Sequence, residues 1–493
     1  MGSKLIENLD RHARLRPRAE AIREATPAGV GRSLSWRELR DSAHLLATRL
    51  GPGASERPVL VAAPNQLELV VAILGGLWAD ATVVPASPEL AASELHKLLG
   101  LTGAGTLIGT PAVLDAAVGQ RCDRIPLGAV DLGAPAPPHC ELDRGTGSIL
   151  LQSSGTTGSP KVVRRRAAAL AAVGENCRRR IGISESDLML VAIPVYHSYG
   201  IDQAVLTGMA AGCTLELHER FDAAQVRAAL ANRGISIFPG VPVMFDALAR
   251  GRRQAPAPAL RRAYSAGSPL PRRISEAFLG VFGVRLGQIY GATEFGSVSY
   301  NDPEDSSFDP ESVGRPFAGV EFRVLSQDAH STKRPLSPGS EGQLAVAASS
   351  MFSEYVDDPG PATQGGFLLT GDLGRLDPQG RLRLTGRIGL LIDVGGRLVN
   401  PLEVEEVLAR HPAVAEAIVQ PITVSDTASR LKAIVVPNSG REISRQELQR
   451  FARQHLSPHK VPRSFEIRSD VPRSPTGKIL RRELLSATVE SER

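Results

Sequence analysis

The sequence contains few aromatic residues and few cysteines, and it has no long apolar run. Aromatic residues make up 4% of the 493 residues, hydrophobic residues 42% and charged residues 22%. This composition is typical of globular proteins and excludes a disordered or fibrous chain. No stretch of 18 apolar residues occurs without a charge or a turn residue, and residues 1–5 contain no apolar signal core. We therefore expect a cytoplasmic protein that does not bind a membrane.

The four cysteines, Cys122, Cys140, Cys177 and Cys213, form no CxxC or other metal-ligand spacing, which fits reduced thiols in the cytoplasm. The net charge of +5 and the isoelectric point of about 9.1 suit an anionic ligand such as a polyphosphate or CoA, or simply an arginine-rich proteome. We expect no nucleic-acid partner, because the sequence has neither an interleaved aromatic platform nor a recognition-helix pattern.

Hydrophobic runs alternate with helical patterns through the first 290 residues. A buried strand at 58–64, a helix at 66–79 and a second strand at 81–85 are separated by short turns. Similar strand-like segments recur at 188–194, 213–217, 235–239 and 284–289. This alternation predicts parallel α/β units.

The pattern changes near residue 340. Short strands separated by Gly, Pro and Asp turns dominate residues 342–384. We place a domain boundary at 386–389, after which a compact α+β segment begins. Its predicted elements are helices at 402–410 and 444–455 and strands at 413–420 and 430–436.

Residues 150–161 carry the strongest local signal, Leu-Leu-Gln-Ser-Ser-Gly-Thr-Thr-Gly-Ser-Pro-Lys. Glycines let the backbone approach a phosphate, hydroxyl and N–H groups donate to its oxygens, and the lysine adds positive charge. The segment is not a Walker A loop, because Pro160 stands before Lys161 where that motif has glycine. A Ser/Gly linker is the alternative, but a linker requires neither the apolar strand before it nor the Pro-Lys end. We interpret the segment as a phosphate-binding loop.

Residues 288–296, Gln-Ile-Tyr-Gly-Ala-Thr-Glu-Phe-Gly, form a strand that runs into a glycine turn. The turn presents the hydroxyl of Thr293 next to the carboxylate of Glu294. At the carboxyl end of a strand, these two groups suit a nucleotide phosphate and its Mg²⁺. Taken alone the motif is weak, because tyrosine-glycine turns are common.

Two further motifs present polar side chains late in the chain. Residues 369–373, Leu-Thr-Gly-Asp-Leu, contain Asp372, and Arg387 ends a Thr-Gly-Arg tripeptide. A carboxylate can accept hydrogen bonds from both ribose hydroxyls, whereas a lone Asp in such a motif is more often a turn cap. Residues 472–481 place Lys478 between a glycine and an apolar pair, and an ordinary surface lysine is the alternative there.

In this order and spacing, the four motifs resemble those of the adenylate-forming superfamily: acyl-CoA synthetases, peptide-synthetase adenylation domains and firefly-luciferase-like enzymes. The resemblance runs from residues 34–39 to Lys478 and is closest to acyl- or aryl-CoA ligases. It implies an α/β fold whose large N-terminal domain, residues 1–386, has two doubly wound α/β subdomains and a β-barrel-like subdomain. A small mobile α+β C-terminal domain, residues 387–493, carries the catalytic lysine.

The resemblance also implies ATP and Mg²⁺ as cofactors, with CoA as one candidate acceptor. Thr293 would contact the α-phosphate, Glu294 would bind Mg²⁺, and Lys478 would bridge the substrate carboxylate and the α-phosphate. The implied nucleotide-binding residues are Ser153, Ser154, Gly155, Thr156, Thr157, Gly158 and Lys161 for the β- and γ-phosphates, Ala266, Gly267, Ser268, Tyr290, Gly291 and Ala292 for the adenine, and Asp372 and Arg387 for the ribose.

Residues 195–200, Val-Tyr-His-Ser-Tyr-Gly, resemble the stretch that walls the acid pocket in this superfamily. His197 matches the gating histidine of acyl- and aryl-CoA ligases, while a structural histidine is the alternative. Amino-acid-activating relatives have Phe-Asp here, and Asp202 is off register for that role. We therefore expect a small acid with a neutral tail, either aryl or short- to medium-chain acyl. Further pocket residues expected from the resemblance are Val241, Met244, Ala266 and Ser297.

Three positions depart from the superfamily pattern. Val162 replaces the glycine after the phosphate loop, so the local backbone is expected to differ, because valine rarely takes a positive φ. Gly389 replaces the usual hinge Asp or Lys, and it could loosen the hinge. Asp393 stands where a lysine often serves the second half-reaction, which makes thioester formation less secure than adenylation.

The acceptor stays open at this point. The acyl-adenylate could pass to CoA, to a phosphopantetheine carrier protein supplied in trans, or to a free amine. The arginine triplets 164–166 and 178–180, expected on exposed segments, could meet CoA or an acidic carrier, although a solvated helix face is the simpler interpretation. A nucleotide-binding regulator without turnover is disfavoured, because every motif residue is present.

Overall fold

The computed structural model describes residues 4–51, 57–135, 147–153, 161–250, 255–326, 334–356, 363–394, 398–425, 428–474, 477–481 and 483–484. The chain divides into two compact units. The N-terminal unit consists of Met1–Glu321 and Ala347–Ala362, and the C-terminal unit of Phe322–Val346 and Thr363–Arg493.

Strands are numbered along the chain. The first fifteen are β1 (Glu20–Thr26), β2 (Gly29–Ser35), β3 (Val59–Ala62), β4 (Thr82–Ala86), β5 (Thr106–Gly109), β6 (Asp123–Pro126), β7 (Ser148–Gln152), β8 (Val162–Arg166), β9 (Leu188–Val191), β10 (Thr214–Leu217), β11 (Ile237–Gly240), β12 (Arg262–Ser265), β13 (Leu286–Ala292), β14 (Gly296–Asn301) and β15 (Arg315–Pro316). The later strands are β16 (Val320–Leu325), β17 (Gly342–Ala348), β18 (Glu354–Tyr355), β19 (Thr363–Gln364), β20 (Phe367–Leu376), β21 (Leu382–Arg387), β22 (Ile392–Asp393), β23 (Leu398–Val399), β24 (Val414–Ser425), β25 (Ala428–Pro437) and β26 (Ser464–Ile467).

The helices are numbered in the same way. They are α1 (Lys4–Leu15), α2 (Trp36–Leu50), α3 (Leu67–Trp78), α4 (Ala92–Thr102), α5 (Pro111–Ala116), α6 (Ala167–Ile181), α7 (Ser198–Gly200), α8 (Thr207–Ala211), α9 (Ala223–Asn232), α10 (Pro242–Ala249), α11 (Arg272–Phe282), α12 (Pro401–Ala409) and α13 (Arg445–His455). A π-helix, Ile201–Leu206, joins α7 to α8, and short 3₁₀ turns occupy Leu127–Ala129, Ile388–Leu390 and Pro458–Lys460.

Two largely parallel sheets form the N-terminal unit. The first has the strand order β15-β14-β13-β12-β11-β9-β10-β1-β2, and the second has the order β18-β8-β7-β4-β3-β5-β6. In both sheets the central pairs are parallel and the antiparallel pairs lie towards the edges. Each sheet is therefore doubly wound in style, with its helices packed on the faces.

Helix α3 is buried along its whole length. All twelve of its residues are buried, and it contacts α2 together with strands from both sheets. A helix that is apolar on every side requires such an environment. Its glycines permit the close packing: a Cβ on Gly75 would lie 2.8 Å from the Ala43 carbonyl oxygen, and a Cβ on Gly76 would lie 2.5 Å from Val83.

The C-terminal unit contains a five-stranded sheet and a small α+β module. The sheet has the order β16-β17-β20-β19, with β21 paired to the other part of β20. In the module, β24, β25 and β26 form a three-stranded sheet whose apolar side chains share a core with α12 and α13.

The α/β fold class and most predicted elements are confirmed, including the helix at 66–79 (α3) and the helix at 402–410 (α12). Among the described residues, no helix is both long and apolar enough to cross a membrane.

Candidate functional site

The predicted phosphate-binding segment starts and ends on two adjacent antiparallel strands, β7 and β8. The Ser153 N–H donates to the Lys161 carbonyl oxygen at 2.8 Å, and the Lys161 N–H donates to Ser153 Oγ at 3.3 Å. These bonds continue the β7–β8 ladder by one rung and fix both ends of the segment. The other predicted phosphate ligands, Ser154, Gly155, Thr156, Thr157 and Gly158, lie outside the described residues.

Val162 adopts ordinary strand geometry. It begins β8 directly opposite Gln152, and its side chain is buried. Asp80 is the one described residue other than glycine that has a positive φ. Val162 therefore needs no positive φ, because it lies in an extended strand that suits a β-branched residue.

The turn that carries Thr293 and Glu294 connects β13 to β14 and lies close to Lys161. The Glu294 carbonyl oxygen accepts a hydrogen bond from the Phe352 N–H at 2.7 Å. The Tyr355 hydroxyl donates to Glu294 Oε1 at 3.4 Å, and Lys161 Nζ lies 4.6 Å from the centre of the Tyr355 ring. Two motifs that are more than 130 residues apart in the sequence thus meet around one tyrosine.

The predicted adenine-binding segments follow two neighbouring parallel strands. β12 and β13 pair through Ser265 and Gln288, and residues 266–268 and 290–292 lie at their carboxyl ends. Gly267 has a φ of +87°, which side-chain-bearing residues rarely adopt. A Cβ on Gly291 would lie 2.6 Å from the Gly296 carbonyl oxygen, so glycine is required for this close approach. Ligands of open α/β sheets bind at this end of the strands.

The loop that carries His197 is held by a buried residue that the sequence analysis missed, Asn65. Its amide nitrogen donates to the carbonyl oxygens of Ile193 (2.8 Å) and His218 (3.1 Å), and its Oδ1 accepts from the Val195 N–H at 2.8 Å. A Cβ on Gly200 would lie 2.0 Å from a carbonyl oxygen of the same loop. The signal in the sequence was a polar residue directly after a buried strand and a proline.

One prediction about charge is wrong. Arg165, expected on an exposed segment, is fully buried on β8, and its Nη1 lies 2.9 Å from Oδ1 of the buried Asp202. The other carboxylate oxygen of Asp202 accepts from the Ser297 N–H at 2.9 Å. The ion pair therefore anchors the start of β14, which directly follows the Thr293–Glu294 turn. Both carboxylate oxygens of Asp202 thus bind other parts of the protein. This agrees with the sequence-based expectation that Asp202 is not a ligand of the substrate.

The predicted ribose ligands lie opposite one another in the C-terminal unit. Asp372 on β20 pairs with Arg387 on β21, with Arg387 Nε 3.5 Å from Asp372 Oδ1. The Asp372 N–H donates to Thr370 Oγ1 at 3.0 Å. One cation and one carboxylate on adjacent strands form a partly exposed polar pair.

Lys478 lies on a short turn that is braced on both sides. The Ser474 N–H donates to the Lys478 carbonyl oxygen at 2.8 Å, and Gly477 has a φ of +76°. Arg473 forms an ion pair with Glu416 before the turn, and Arg481 pairs with the carboxylate of Glu405 (2.7 Å) after it. Burial raises the pKa of Glu405, and the Arg481 charge opposes that rise. Described residues on both sides of Lys478 are thus held by hydrogen bonds or ion pairs.

The proposed hinge region begins at the end of β21. Gly389 lies in the 3₁₀ turn Ile388–Leu390, and the backbone of Asp393 pairs with that of Leu398. Asn400 donates from its side chain to the Thr385 carbonyl oxygen at 2.6 Å and accepts from the Leu402 N–H at the start of α12. Asn400 therefore joins β21 to α12 within the C-terminal unit.

A metal ion at this site would need ligands beyond the protein side chains. Among the described residues, no group of three or more His, Cys, Asp or Glu side chains could hold a metal ion. Glu294 follows Thr293 in the turn and contacts the same tyrosine as Lys161. Mg²⁺ is typically held by one or two carboxylates together with substrate phosphates, and the residues present fit that pattern.

Comparison with known proteins identifies the class. The family model for AMP-binding enzymes matches residues 9–356, and the model for the C-terminal domain of AMP-binding enzymes matches residues 403–478. The chain therefore belongs to the family of AMP-binding enzymes.

Individual relatives span the whole chain. A feruloyl-CoA synthase from Amycolatopsis sp is 28% identical over 483 residues, which cover 96% of this chain and 97% of the relative. The o-succinylbenzoate CoA synthetase MenE from Bacillus subtilis, solved with its acyl-adenylate intermediate, has a TM-score of 0.83 at 24% identity, covering 97% of both chains. The amide bond synthetase McbA from Marinactinospora thermotolerans has a TM-score of 0.85 at 24% identity, covering 98% of this chain and 99% of McbA. These structural likenesses establish the fold.

Proposed function

We propose that this chain is an AMP-forming acid–thiol ligase. It activates a carboxylic acid with ATP, releases pyrophosphate, and passes the acyl group from the adenylate to a thiol as a thioester. The main observation behind the proposal is that Tyr355 contacts two motifs at once. Its ring faces the ammonium of Lys161, and its hydroxyl donates to the carboxylate of Glu294. Family membership and a CoA-synthase relative that matches the full length support the same activity.

We propose the following nucleotide roles for the site residues. Ser153, Lys161 and the segment between them bind the β- and γ-phosphates, and Thr293 contacts the α-phosphate. The carboxyl ends of β12 and β13 flank the adenine, through residues 266–268 and 290–292. Asp372 and Arg387 bind the ribose. Glu294 holds Mg²⁺, which when bound neutralises phosphate charge.

The first half-reaction requires no general base, because a carboxylate is already a nucleophile at pH 7. One carboxylate oxygen attacks the α-phosphorus in line, the new P–O bond forms, and the bond to pyrophosphate breaks. The enzyme must bring two anions together and stabilise the charge that develops at the α-phosphorus. Lys478 supplies positive charge there, and Mg²⁺ would add to it when bound.

The second half-reaction requires a different set of residues near the adenylate. We propose that residues from Arg387 onward form a mobile domain, 387–493, whose rotation removes Lys478 and admits the thiol. Gly389 lies at the start of this segment and can absorb a change in backbone angles.

The acid is a small carboxylic acid, and we favour an aryl acid over a short- or medium-chain acyl acid. The full-length relative named for ferulate supports an aryl acid. His197, held in place through Asn65, borders the acid pocket. CoA is the favoured acceptor, and a carrier protein in trans is the second thiol source. Because Asp393 replaces the lysine common in this family, capture by a free amine is the alternative outcome.

The test is pyrophosphate release with ATP and Mg²⁺ across aryl, short-chain and medium-chain acids, each with and without CoA or an amine. We expect one aryl class to trigger release and CoA to accelerate it. Lys478→Ala should lower that rate by roughly 10²- to 10³-fold, while Lys460→Ala, which removes a surface ion pair in the same unit, should leave it unchanged. No release with any acid would refute the proposal. Acceleration by the amine alone would replace the thiol with an amine acceptor.

A further inference from the structure

Residues 350–356, the clamp segment, hold the Thr293–Glu294 turn by its backbone. The Ser350 hydroxyl donates to the Phe295 carbonyl oxygen at 2.7 Å, and the Phe352 N–H donates to the Glu294 carbonyl oxygen at 2.7 Å. Both acceptors belong to the turn itself. The path of the turn is therefore fixed by a segment that lies some 60 residues later in the sequence.

The same segment is part of the sheet that carries the phosphate-segment lysine. Its strand β18 pairs with β8, the Ser353 N–H donates to the Arg164 carbonyl oxygen, and the Val356 N–H donates to the Val162 carbonyl oxygen, each at 2.9 Å. A surface ion pair between Glu354 and Arg164 (2.6 Å) adds to this pairing. The clamp segment thus joins the strand that follows Lys161 to the turn that carries Glu294.

Tyr355 extends this connection to the side chains. Its ring packs against Phe352, with centroids 4.7 Å apart, and faces the Lys161 ammonium at 4.6 Å. Its hydroxyl reaches Glu294 Oε1 at 3.4 Å, which is longer than the optimum for such a bond and leaves room for tightening. One rigid side chain therefore touches both groups that the proposed reaction assigns to the polyphosphate and its metal.

We propose that Tyr355 is a positioning residue for Mg·ATP. Its hydroxyl orients the Glu294 carboxylate towards the metal ion, and its ring holds the Lys161 ammonium where the phosphates bind. The inference rests on the proposed function for the identity of the ligand. It assigns a role to a tyrosine that lies outside the sequence motifs.

Two substitutions separate the two contacts. Tyr355→Phe keeps the ring beneath Lys161 and removes the hydroxyl at Glu294, so it should weaken ATP binding about threefold when Mg²⁺ is present and leave binding in EDTA unchanged. Tyr355→Leu removes both contacts and should weaken ATP binding about threefold in EDTA as well. Glu276→Gln, which weakens only an exposed ion pair with Arg272 on α11, is the control and should match the wild type in both conditions.

The experiment is calorimetric titration of the full chain with ATP, in Mg²⁺ and in EDTA, without any acid, so that no turnover occurs. Steady-state pyrophosphate release then provides KM for ATP and for the acid, and only the former should rise. The proposal is overturned if Tyr355→Phe binds ATP as tightly as the wild type in Mg²⁺. It is also overturned if this substitution weakens ATP binding by the same factor in EDTA as in Mg²⁺. A wild type that binds Mg·ATP but turns over no acid would refute the ligase function alone, and a wild type that does not bind ATP would refute both.

Discussion

The buried Arg165–Asp202 pair should be one of the most sensitive points in the N-terminal unit. Asp202→Ala leaves the fully buried Arg165 guanidinium without its counter-charge and removes the acceptor of the Ser297 N–H. Breaking a buried pair from one side costs about 3–5 kcal/mol, because an uncompensated charge stays in the interior. Replacing both partners with apolar residues of similar size is often nearly neutral. We therefore expect Arg165→Met with Asp202→Leu to be more stable than Asp202→Ala.

Urea unfolding followed by tryptophan fluorescence measures this difference. Both tryptophans, Trp36 and Trp78, lie in the N-terminal unit, so the signal reports on the unit that contains the pair. Glu276→Ala, which breaks an exposed ion pair with Arg272, should leave the midpoint unchanged. The reasoning fails if Asp202→Ala unfolds at the wild-type urea concentration, or if the double substitution is as unstable as the single one.

Three further outcomes are expected. Asn65→Leu should lower kcat/KM for the acid about tenfold and leave ATP binding unchanged, because the His197 loop loses its hydrogen bonds to Asn65. Steady-state kinetics and calorimetry test this prediction. An equal loss in ATP affinity would contradict it. Burial and two neighbouring arginines lower the pKa of His12 to about 4. Between pH 6.5 and 4, the unfolded chain therefore binds a proton at this histidine and the folded chain does not. Stability should therefore fall by up to about 3 kcal/mol between pH 6.5 and 4, and urea titrations of His12→Gln should lack this component. Burial raises the pKa of Cys177 to about 12, so alkylation at pH 8 should modify the half-buried Cys122 before Cys177. Mass spectrometry that shows the reverse order of these two would contradict the prediction.

The general architecture could be predicted because local patterns decide it. The apolar run at 66–79 has helical length and lies between two strand-like runs, and the structure contains α3 between β3 and β4. The Ser/Gly/Thr segment and the turn at Thr293 and Glu294 carry their chemistry in consecutive residues. Such motifs can be recognised without knowing the contacts between distant parts of the chain.

The buried charge could not be predicted, because its environment depends on residues far away in the sequence. Three successive arginines resemble a solvated face, yet strand geometry turns alternate side chains to opposite faces. Arg165 faces inward, Arg166 is exposed, and Arg164 is partly buried beside Thr82 and Ser148. The partner Asp202 lies 37 residues later, on a π-helix, a rare form that the sequence pattern does not indicate.

Tyr355 was missed for a similar reason. It stands in a stretch that reads as turns and short strands, and nothing in its immediate neighbours indicates chemistry. Its role becomes visible only when β18 pairs with β8 and the side chain reaches Glu294. A polar aromatic residue in an irregular segment is common, so composition alone cannot separate this tyrosine from others.

The rung between Ser153 and Lys161 has a consequence for loop entropy. Because the two ends of the predicted phosphate-binding segment are already hydrogen-bonded to each other, the entropy of closing the chain between them is lost when the protein folds and would not be lost again when a nucleotide binds. Doubling the length of a flexible loop adds only about 0.6 kcal/mol to its closure cost. The entropic cost of an insertion between Ser153 and Lys161 should therefore fall on folding and be small, and nucleotide affinity should change only through the contacts that the inserted residues displace.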